Sequence, residues 1–438
     1  MNNLVGSGAI MATGGPPGSD IKSATCTRFV LPFGYKLELI TEHGPSYHPS
    51  EIHYRKQEFK EVELAKERRK YFTMETGKVL FDRTALFRVN TNPERPKSWN
   101  DCVWKRGVEL IIKQKDNTRR VNAALLPPQV LLFEFPSVDT KEPEKHHSPI
   151  FHSGFLLLDL YFPNPSANTV TPVLDDLLYI NDLLRYTDPP YEDARKNLQE
   201  LVSNAPSFLT PFSKNKIDES SGAPHSFAKW AELLALPVVT DGGKVYRMVP
   251  QNFVIDSSAV LKGEKRTDNL SDYLIYADNR AYVWSTALVP PGDKSLKNHF
   301  QIKEKENEKS PGIHNSGHWH KFLNVDSPTT TYQSVAKANE NLSPFEKEWA
   351  KDRTYTRWAH MGTFYGFSYH SGVMLAVAPT KENDLRLDRH FATFYFDIVV
   401  LLFYLRITLF RFSRHLTEIT AAKRDGTMRE GAWQKEFK

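Results

Sequence analysis

The sequence predicts an α/β protein in which a mixed β-sheet is layered with helices and is followed by a long hydrophobic helix near the C-terminus. Three observations lead to this prediction. Short apolar runs bounded by turn residues recur between 108 and 163, a strand-to-helix unit covers 154–186, and an apolar segment of helical periodicity covers 391–419.

Length and composition allow a sizeable core and exclude several classes of protein. The chain has 438 residues, of which 40% are hydrophobic and 25% are charged, as in ordinary globular domains. Its 57 Lys and Arg residues are mixed with 52 Asp and Glu residues. We expect no nucleic-acid partner, because such a partner requires basic residues concentrated on one face. Cys26 and Cys102 are the only cysteines, which excludes a disulfide framework and a multi-cysteine zinc site.

Residues 1–25 are rich in Gly, Ser and Pro and predict a flexible leader. They carry neither the basic region nor the apolar stretch of a secretory signal. Because a low cysteine content also suits a reducing compartment, the sequence predicts a cytoplasmic protein.

An α/β domain is predicted from residue 26 to residue 300. Residues 28–40 are typical of extended segments, and the charged run 51–72 predicts a solvated surface helix. Buried strands are predicted at 108–113, 119–126, 130–135 and 154–163.

The helix that follows the last of these strands has a strong start signal. Thr171 suits the N-cap and Pro172 the first helical position, and Asp175 and Asp176 lie in the first turn, where the helix dipole favours anions. An apolar face is formed by Leu174, Leu177, Leu178 and Leu184.

Further along the chain we predict a short helix at 227–236 and a β-hairpin at 271–289. Residues 301–342 are predicted to be a charged loop or insertion, since 301–312 lack apolar anchors. The last unit, 343–438, is predicted to be a mainly helical region. Its first helix starts at a capping box, Ser343 with Glu346, and runs to about Trp358.

The segment 391–419 predicts a long helix that is buried in protein. Asp397, Arg406 and Arg411 interrupt it and leave only eight uncharged residues, 398–405, between the first two, whereas a membrane span needs about 20 apolar residues. The face predicted to be buried consists of Ile398, Leu401, Leu402, Leu405, Leu409, Phe412, Leu416 and Ile419. The polar stripe predicted to face solvent or a subunit partner consists of Asp397, Tyr404, Arg411 and His415.

Two groups of residues are candidate sites. His314, His318 and His320 lie within seven residues, and neutral imidazole is a common metal ligand. If this segment is a strand or an open loop, His318 and His320 fall on one side and could bind a metal ion. The alternative is a set of surface histidines, because no carboxylate or cysteine stands at the spacing of a known zinc signature.

The second group is Arg353, Arg357, His360 and His370, which are interspersed with aromatic residues. Arginine binds anions through a bidentate fork, so this group predicts an anion or nucleotide site. The alternative is a helix C-terminus with basic residues near its dipole, followed by an aromatic core strand. Phosphate-binding loops, dinucleotide fingerprints, nucleophile elbows and HExxH motifs are all absent from the sequence.

Several segments of the later half of the chain resemble a divergent bacterial group related to CorA-type divalent cation transporters. These segments are GFLLLDLYFP, LDDLLYINDLLRY, DNRAYVWSTALV, RTYTRWAHMGTFYGFSYHSG and HFATFYFDIVVLLFYLRITLFRFSRHL. The resemblance covers roughly 150–420. The Gly-Met-Asn motif of the transporter pore does not occur in the sequence, so no site residue is carried over from the family.

The resemblance implies an α/β/α cytosolic domain, a homopentamer, Mg²⁺ or another divalent cation as the ion, and attachment to the inner membrane through C-terminal helices outside this chain. It predicts a non-catalytic regulatory or sensing portion of a cation transporter. Two alternatives stay open. One is a soluble metal-dependent hydrolase that uses the three histidines, and the other is a soluble anion- or nucleotide-binding protein.

Overall fold

The computed structural model describes sixteen stretches of the chain, and every structural statement concerns these stretches. They are residues 25–39, 54–57, 68–82, 84–89, 108–114, 117–125, 129–133, 152–162, 172–186, 192–202, 238–241, 244–251, 280–289, 312–328, 342–377 and 387–424. The predicted helix at 227–236 and most of the predicted charged loop lie outside them.

Thirteen of the described segments are strands of one sheet. In chain order they are β1 (Cys26–Leu39), β2 (Tyr54–Gln57), β3 (Thr84–Val89), β4 (Val108–Gln114), β5 (Asn117–Leu125), β6 (Gln129–Phe133), β7 (His152–Tyr161), β8 (Val238–Asp241), β9 (Lys244–Gln251), β10 (Tyr282–Val289), β11 (Thr354–Tyr355), β12 (Thr363–Phe367) and β13 (Ser371–Val377). Their order across the sheet is β11-β12-β13-β10-β1-β9-β8-β2-β3-β6-β7-β5-β4, with β1 also paired to β7.

The sheet is mixed. The β10–β13 and β2–β8 pairs are parallel, and β1 runs antiparallel to β7, β9 and β10. The long strand β1 therefore joins three parts of the chain, which makes it the organising element of the described structure.

The helices are α1 (Met74–Gly77), α2 (Leu174–Leu184), α3 (Glu192–Leu201), α4 (Gly317–Asn324), α5 (Pro344–Asp352), α6 (Leu387–His390) and α7 (Phe396–Arg424). A π-helical turn, Phe391–Tyr395, joins α6 directly to α7.

Helices cover both faces of the sheet. Successive strand residues point to opposite sides, so one strand contributes to the cores on both faces. In β7, Leu156 and Leu158 belong to the core beneath α2, α3 and α4, whereas Phe155 and Leu157 belong to the core beneath α7. The predicted α/β/α sandwich with a long C-terminal helix is confirmed. The predicted strands at 108–113, 119–126, 130–135 and 154–163 correspond to β4, β5, β6 and β7.

Several local predictions are corrected. Residues 51–72 do not form one helix, because β2 lies between β3 and β8 in the sheet, and strand pairing overrides the local helix propensity. Of the hairpin predicted at 271–289, the second strand corresponds to β10, which pairs with β1 and β13, and residues 271–279 lie outside the described stretches. The helix α2 begins at Leu174, and its N-cap Val173 donates a backbone hydrogen bond of 3.0 Å to Asp176 Oδ2.

The predicted domain boundaries do not divide the sheet. Residues 312–324, predicted to be part of a charged loop, form a 3₁₀ turn and α4, and Trp319 and Phe322 of α4 are fully buried. Residues 343–438, predicted to be mainly helical, contribute β11, β12 and β13. The capping box at Ser343 and Glu346 is present, but α5 ends at Asp352 rather than near Trp358.

The long helix exists as predicted, but it buries the opposite face. Its sheet side carries Phe396, Val400 and Ile407, all buried. The face expected to be buried is exposed at Ile398, Leu402, Leu405, Leu409, Phe412 and Leu416, whereas Leu401 is half-buried and the side chain of Ile419 lies outside the described set.

The polar stripe expected in solvent is also reversed in its described part. Asp397 is buried and pairs with the guanidinium of Arg68, and the ring of Tyr404 stacks on Phe133 of β6 with 4.5 Å between ring centroids. The side chains of Arg411 and His415 are outside the described set.

Candidate functional site

A cavity of about 360 Å³ lies where α4, α5 and the β12–β13 turn meet. Its volume is within the range of pockets that bind small molecules. It is lined by His320, Asn324, Phe345, Glu346, Trp349, Arg353, Tyr369 and His370.

The first wall comes from α4. Ser316 caps this helix by accepting a hydrogen bond of 3.3 Å from the Trp319 backbone N–H, and Trp319 fixes the helix to the core because it is fully buried. His320 and Asn324 are four residues apart and therefore share a face. Their Nδ1 and Nδ2 atoms are 3.1 Å apart, at hydrogen-bond distance. This pair forms the polar floor of the cavity.

The second wall comes from α5, whose start is set by the capping box. Phe345, Trp349 and Arg353 follow at intervals of four residues, which places them along one face of the helix. The Arg353 guanidinium lies 4.4 Å from the centroid of the Trp349 ring and donates a hydrogen bond of 3.1 Å to the Trp349 carbonyl. The Trp349 ring in turn lies 4.9 Å from the imidazole of His320. Stacking thus holds Arg353 in place at the cavity wall.

The third wall is the turn between β12 and β13, which is bonded to the end of α4. Ser368 and Ser371 each donate a side-chain hydrogen bond of 2.6 Å to the Leu323 carbonyl, and Ser368 Oγ accepts from the His370 backbone N–H at 3.1 Å. The turn thereby presents Tyr369 and His370 to the cavity.

Tyr369 also connects the cavity to α7. The guanidinium of Arg406, on α7, lies 4.1 Å from the centroid of the Tyr369 ring, and Tyr369 as a residue is 66% exposed. Tyr369 is therefore in contact with both the cavity and the long helix.

The two opposite charges of the cavity lie at the two ends of α5, with Glu346 in the first turn and Arg353 at the C-cap, so the Arg353 end is the part that suits an anion. Burial lowers the pKa of His320, so its imidazole is neutral at pH 7, whereas the guanidinium of Arg353 is always charged. The Glu346 carboxylate is held at the start of α5, where it accepts a hydrogen bond of 2.6 Å from the Ser343 backbone N–H. Within the described stretches, the lining residues include no Ser, Thr or Cys.

The structure does not form the predicted three-histidine site. His318 Nε2 lies 3.4 Å from Asp175 Oδ1 of α2, His314 folds back over Gly312, and His320 lines the cavity. His318 and His320 are two residues apart on a helix, which turns them to different sides. Within the described stretches no group of three or more His, Cys, Asp or Glu side chains could hold a metal ion.

The predicted anion group is divided in two. Arg353 and His370 line the cavity, whereas Arg357 and His360 are exposed and lie beside the ring of Trp358. The prediction also missed cavity residues, notably Phe345, Trp349 and Tyr369. The first two could have been found from the sequence, because the capping box fixes the register of α5 and puts them on one face with Arg353.

By length and composition, the segment Phe391–Leu409 is long and apolar enough to cross a membrane. In the structure, 33% of its apolar stretch is buried. Searches of protein-family models, of curated proteins and of solved structures found no match to this chain.

Proposed function

We propose that this chain is a non-catalytic ligand-binding protein whose cavity binds a small planar anion, such as a ring that carries a carboxylate or a phosphate. The observation that carries the proposal is the stacked Trp349–Arg353 pair at the cavity wall. Its guanidinium suits an anionic group, and the aromatic walls suit a flat ring.

The connection from Tyr369 to Arg406 supports a sensing role. A bound ligand that shifts Tyr369 changes the environment of Arg406 on α7. In this proposal, α7 transmits that change to a neighbouring part of a larger protein. In this proposal the chain is the cytosolic regulatory portion of a CorA-like cation transporter, at the cytoplasmic face of the membrane. The resemblance of the segments quoted above supports this wider assignment.

Ligand binding is tested with two probes, AMP as a planar anion and inorganic phosphate as a bare one. We expect AMP to raise the thermal unfolding midpoint of the full chain, because binding to the folded state stabilises it. Arg353→Met keeps most of the packing on Trp349 and removes the charge. We expect it to weaken AMP binding by roughly 10- to 100-fold in titration calorimetry, the value of a hydrogen bond to a charged group.

Arg357→Met is the matched control, because Arg357 belongs to the same sequence cluster but is not among the residues that line the cavity. It should bind AMP as the wild type does. Binding that Arg357→Met weakens and Arg353→Met leaves intact would contradict the proposed site. A response to phosphate equal to that to AMP would show that the ring is not recognised.

The transporter assignment has a separate test, the coding sequence beyond Lys438. Two hydrophobic helices with a Gly-Met-Asn motif between them are expected there. A stop codon without such segments would remove the transporter assignment and leave the ligand-binding proposal standing.

A further inference from the structure

The outer face of α7 carries a regular apolar stripe that stays exposed in the part of the chain that the structure describes. Its described members are 45–69% exposed, and they are Ile398, Leu402, Leu405, Leu409, Phe412 and Leu416. The side of the helix turned away from this stripe packs on the sheet through Phe396, Val400 and Ile407. The helix is therefore apolar on two opposite faces, and among the described residues one of these faces contributes to the core.

The spacing of the stripe is that of a coiled-coil seam. Its members alternate at intervals of four and three residues, which is the heptad repeat of the a and d positions. The stripe continues for more than two heptads without a break, and every described seam position holds Ile, Leu or Phe. Exposure to solvent gives no reason for an apolar residue at every seam position, whereas packing against another helix does.

The flanks of the stripe are polar beyond its first turn. Arg406 and Ser413 occupy the e positions, and Thr408 occupies a g position. An apolar surface restricted to a and d suits one neighbouring helix. A bundle of three or more helices, like a lipid surface, makes use of a broader apolar face. The pattern therefore favours a single helical partner of matching repeat.

The exposed apolar area of the stripe is sufficient for a stable pair of helices. At about 100 Å² of exposed side chain each, the six residues present roughly 600 Å² per copy, so a symmetric pair buries about 1,200 Å², the lower bound for specific interfaces. A closed two-fold pair is also the commonest arrangement of identical chains.

We infer that α7 is a dimerisation helix, and that the stripe Ile398, Leu402, Leu405, Leu409, Phe412 and Leu416 packs against the same stripe of a second copy. The dimer stacks two α/β/α sandwiches with their α7 helices at the centre. This inference goes beyond the proposed ligand-binding function and does not depend on it. It differs from the homopentamer that the CorA resemblance implies, because a two-fold seam joins only two chains, so the mass in solution distinguishes the two assemblies.

The test is the mass of the full chain in solution, measured by light scattering after size exclusion. We expect twice the 50.3 kDa of one chain at micromolar concentration. The double variant Leu402→Glu and Leu409→Glu should be monomeric, with dimer affinity reduced at least 100-fold, because it buries unpaired carboxylates in the seam. Since both positions are exposed in one copy, its far-UV circular dichroism should match that of the wild type.

Thr417→Glu is the control for an added carboxylate, because it places one on an exposed part of the same helix outside the seam. It should remain dimeric. The inference is overturned by a monomeric wild type at 100 μM, by a trimer or larger assembly, or by a double variant that stays dimeric. A monomeric wild type that floats with vesicles of anionic phospholipid, when the double variant does not, would assign the stripe to a membrane instead.

Discussion

His320 is the residue whose protonation links the cavity to pH. It lies in the polar floor beside Asn324 and the Trp349 ring, and burial lowers its pKa below the usual value of 6.5. In the unfolded chain the same imidazole takes up its proton at the ordinary pKa. The unfolded state therefore binds more protons than the folded state as the pH falls below about 6.5.

We expect the wild type to lose more stability than His320→Gln when the pH is lowered from 7.5 to 5.5. The physical reason is that acid favours the unfolded state, in which His320 is free to be protonated, and the variant lacks this group. The measurement is the free energy of unfolding in urea at the two pH values. Equal losses in both proteins would contradict the assignment of His320 as a buried neutral side chain.

Glycine also matters at the residue scale where backbone and rings approach closely. A Cβ atom on Gly372 would lie 2.1 Å from the Trp284 ring, and one on Gly366 would lie 2.3 Å from Leu323. These two positions allow β12 and β13 to pack against large side chains on both faces of the sheet.

At the scale of elements, two buried ion pairs lie next to the start of α7: one joins α7 to residue 68, and the other joins two strands of the sheet. Asp397 pairs with Arg68, and Arg28 of β1 pairs with Asp159 of β7 at 2.5 Å. The Arg28 guanidinium also lies 4.9 Å from the centroid of the Phe396 ring, at the start of α7. Buried pairs of this kind rarely add net stability, but removing one partner is costly, because the other charge is left buried.

We therefore expect Asp397→Asn to lower the free energy of unfolding by about 3–5 kcal/mol, since it leaves Arg68 without its counter-charge. The double variant Arg68→Met and Asp397→Leu should be more stable than this single variant, because neither charge remains. Both are measured by urea denaturation. A double variant less stable than Asp397→Asn would show that the pair itself, rather than charge burial, holds α7 in place.

At the scale of the whole molecule, the sheet joins parts of the chain that are far apart in sequence. β10 pairs with β1 on one edge and with β13 on the other, and α7 covers strands from both halves of the chain. The predicted units 26–300 and 343–438 therefore share one sheet and one apolar core beneath α7.

Two parts of a chain that share one sheet and one apolar core should unfold together. We expect tryptophan fluorescence and far-UV circular dichroism to report the same urea midpoint for the full chain, as a single cooperative transition requires. The described tryptophans include Trp284 in β10 and Trp349 in α5, which belong to the two predicted units. Two separated transitions would mean that the predicted boundary near residue 343 divides the protein after all.

Much of the fold could be predicted from local pattern. The strands β4–β7 were found because short apolar runs bounded by turn residues suit few other structures, and α5 was found because its capping box satisfies the first backbone N–H groups. The site was predicted only in part. Arg353, His370 and His320 do line the cavity, but they come from separate elements, and no local signal records that these elements meet.

The sequence by itself determined the layered α/β class and the existence of a long apolar helix, because both follow from periodicity along the chain. Only the tertiary structure decided which face of that helix is buried. Phe396, Val400 and Ile407 lie on one apolar side and Leu402, Leu405 and Leu409 on another, and a local pattern cannot rank two faces of similar hydrophobicity. The choice was made by the shape of the sheet and by the buried Arg68–Asp397 pair, which only one orientation of the helix can satisfy.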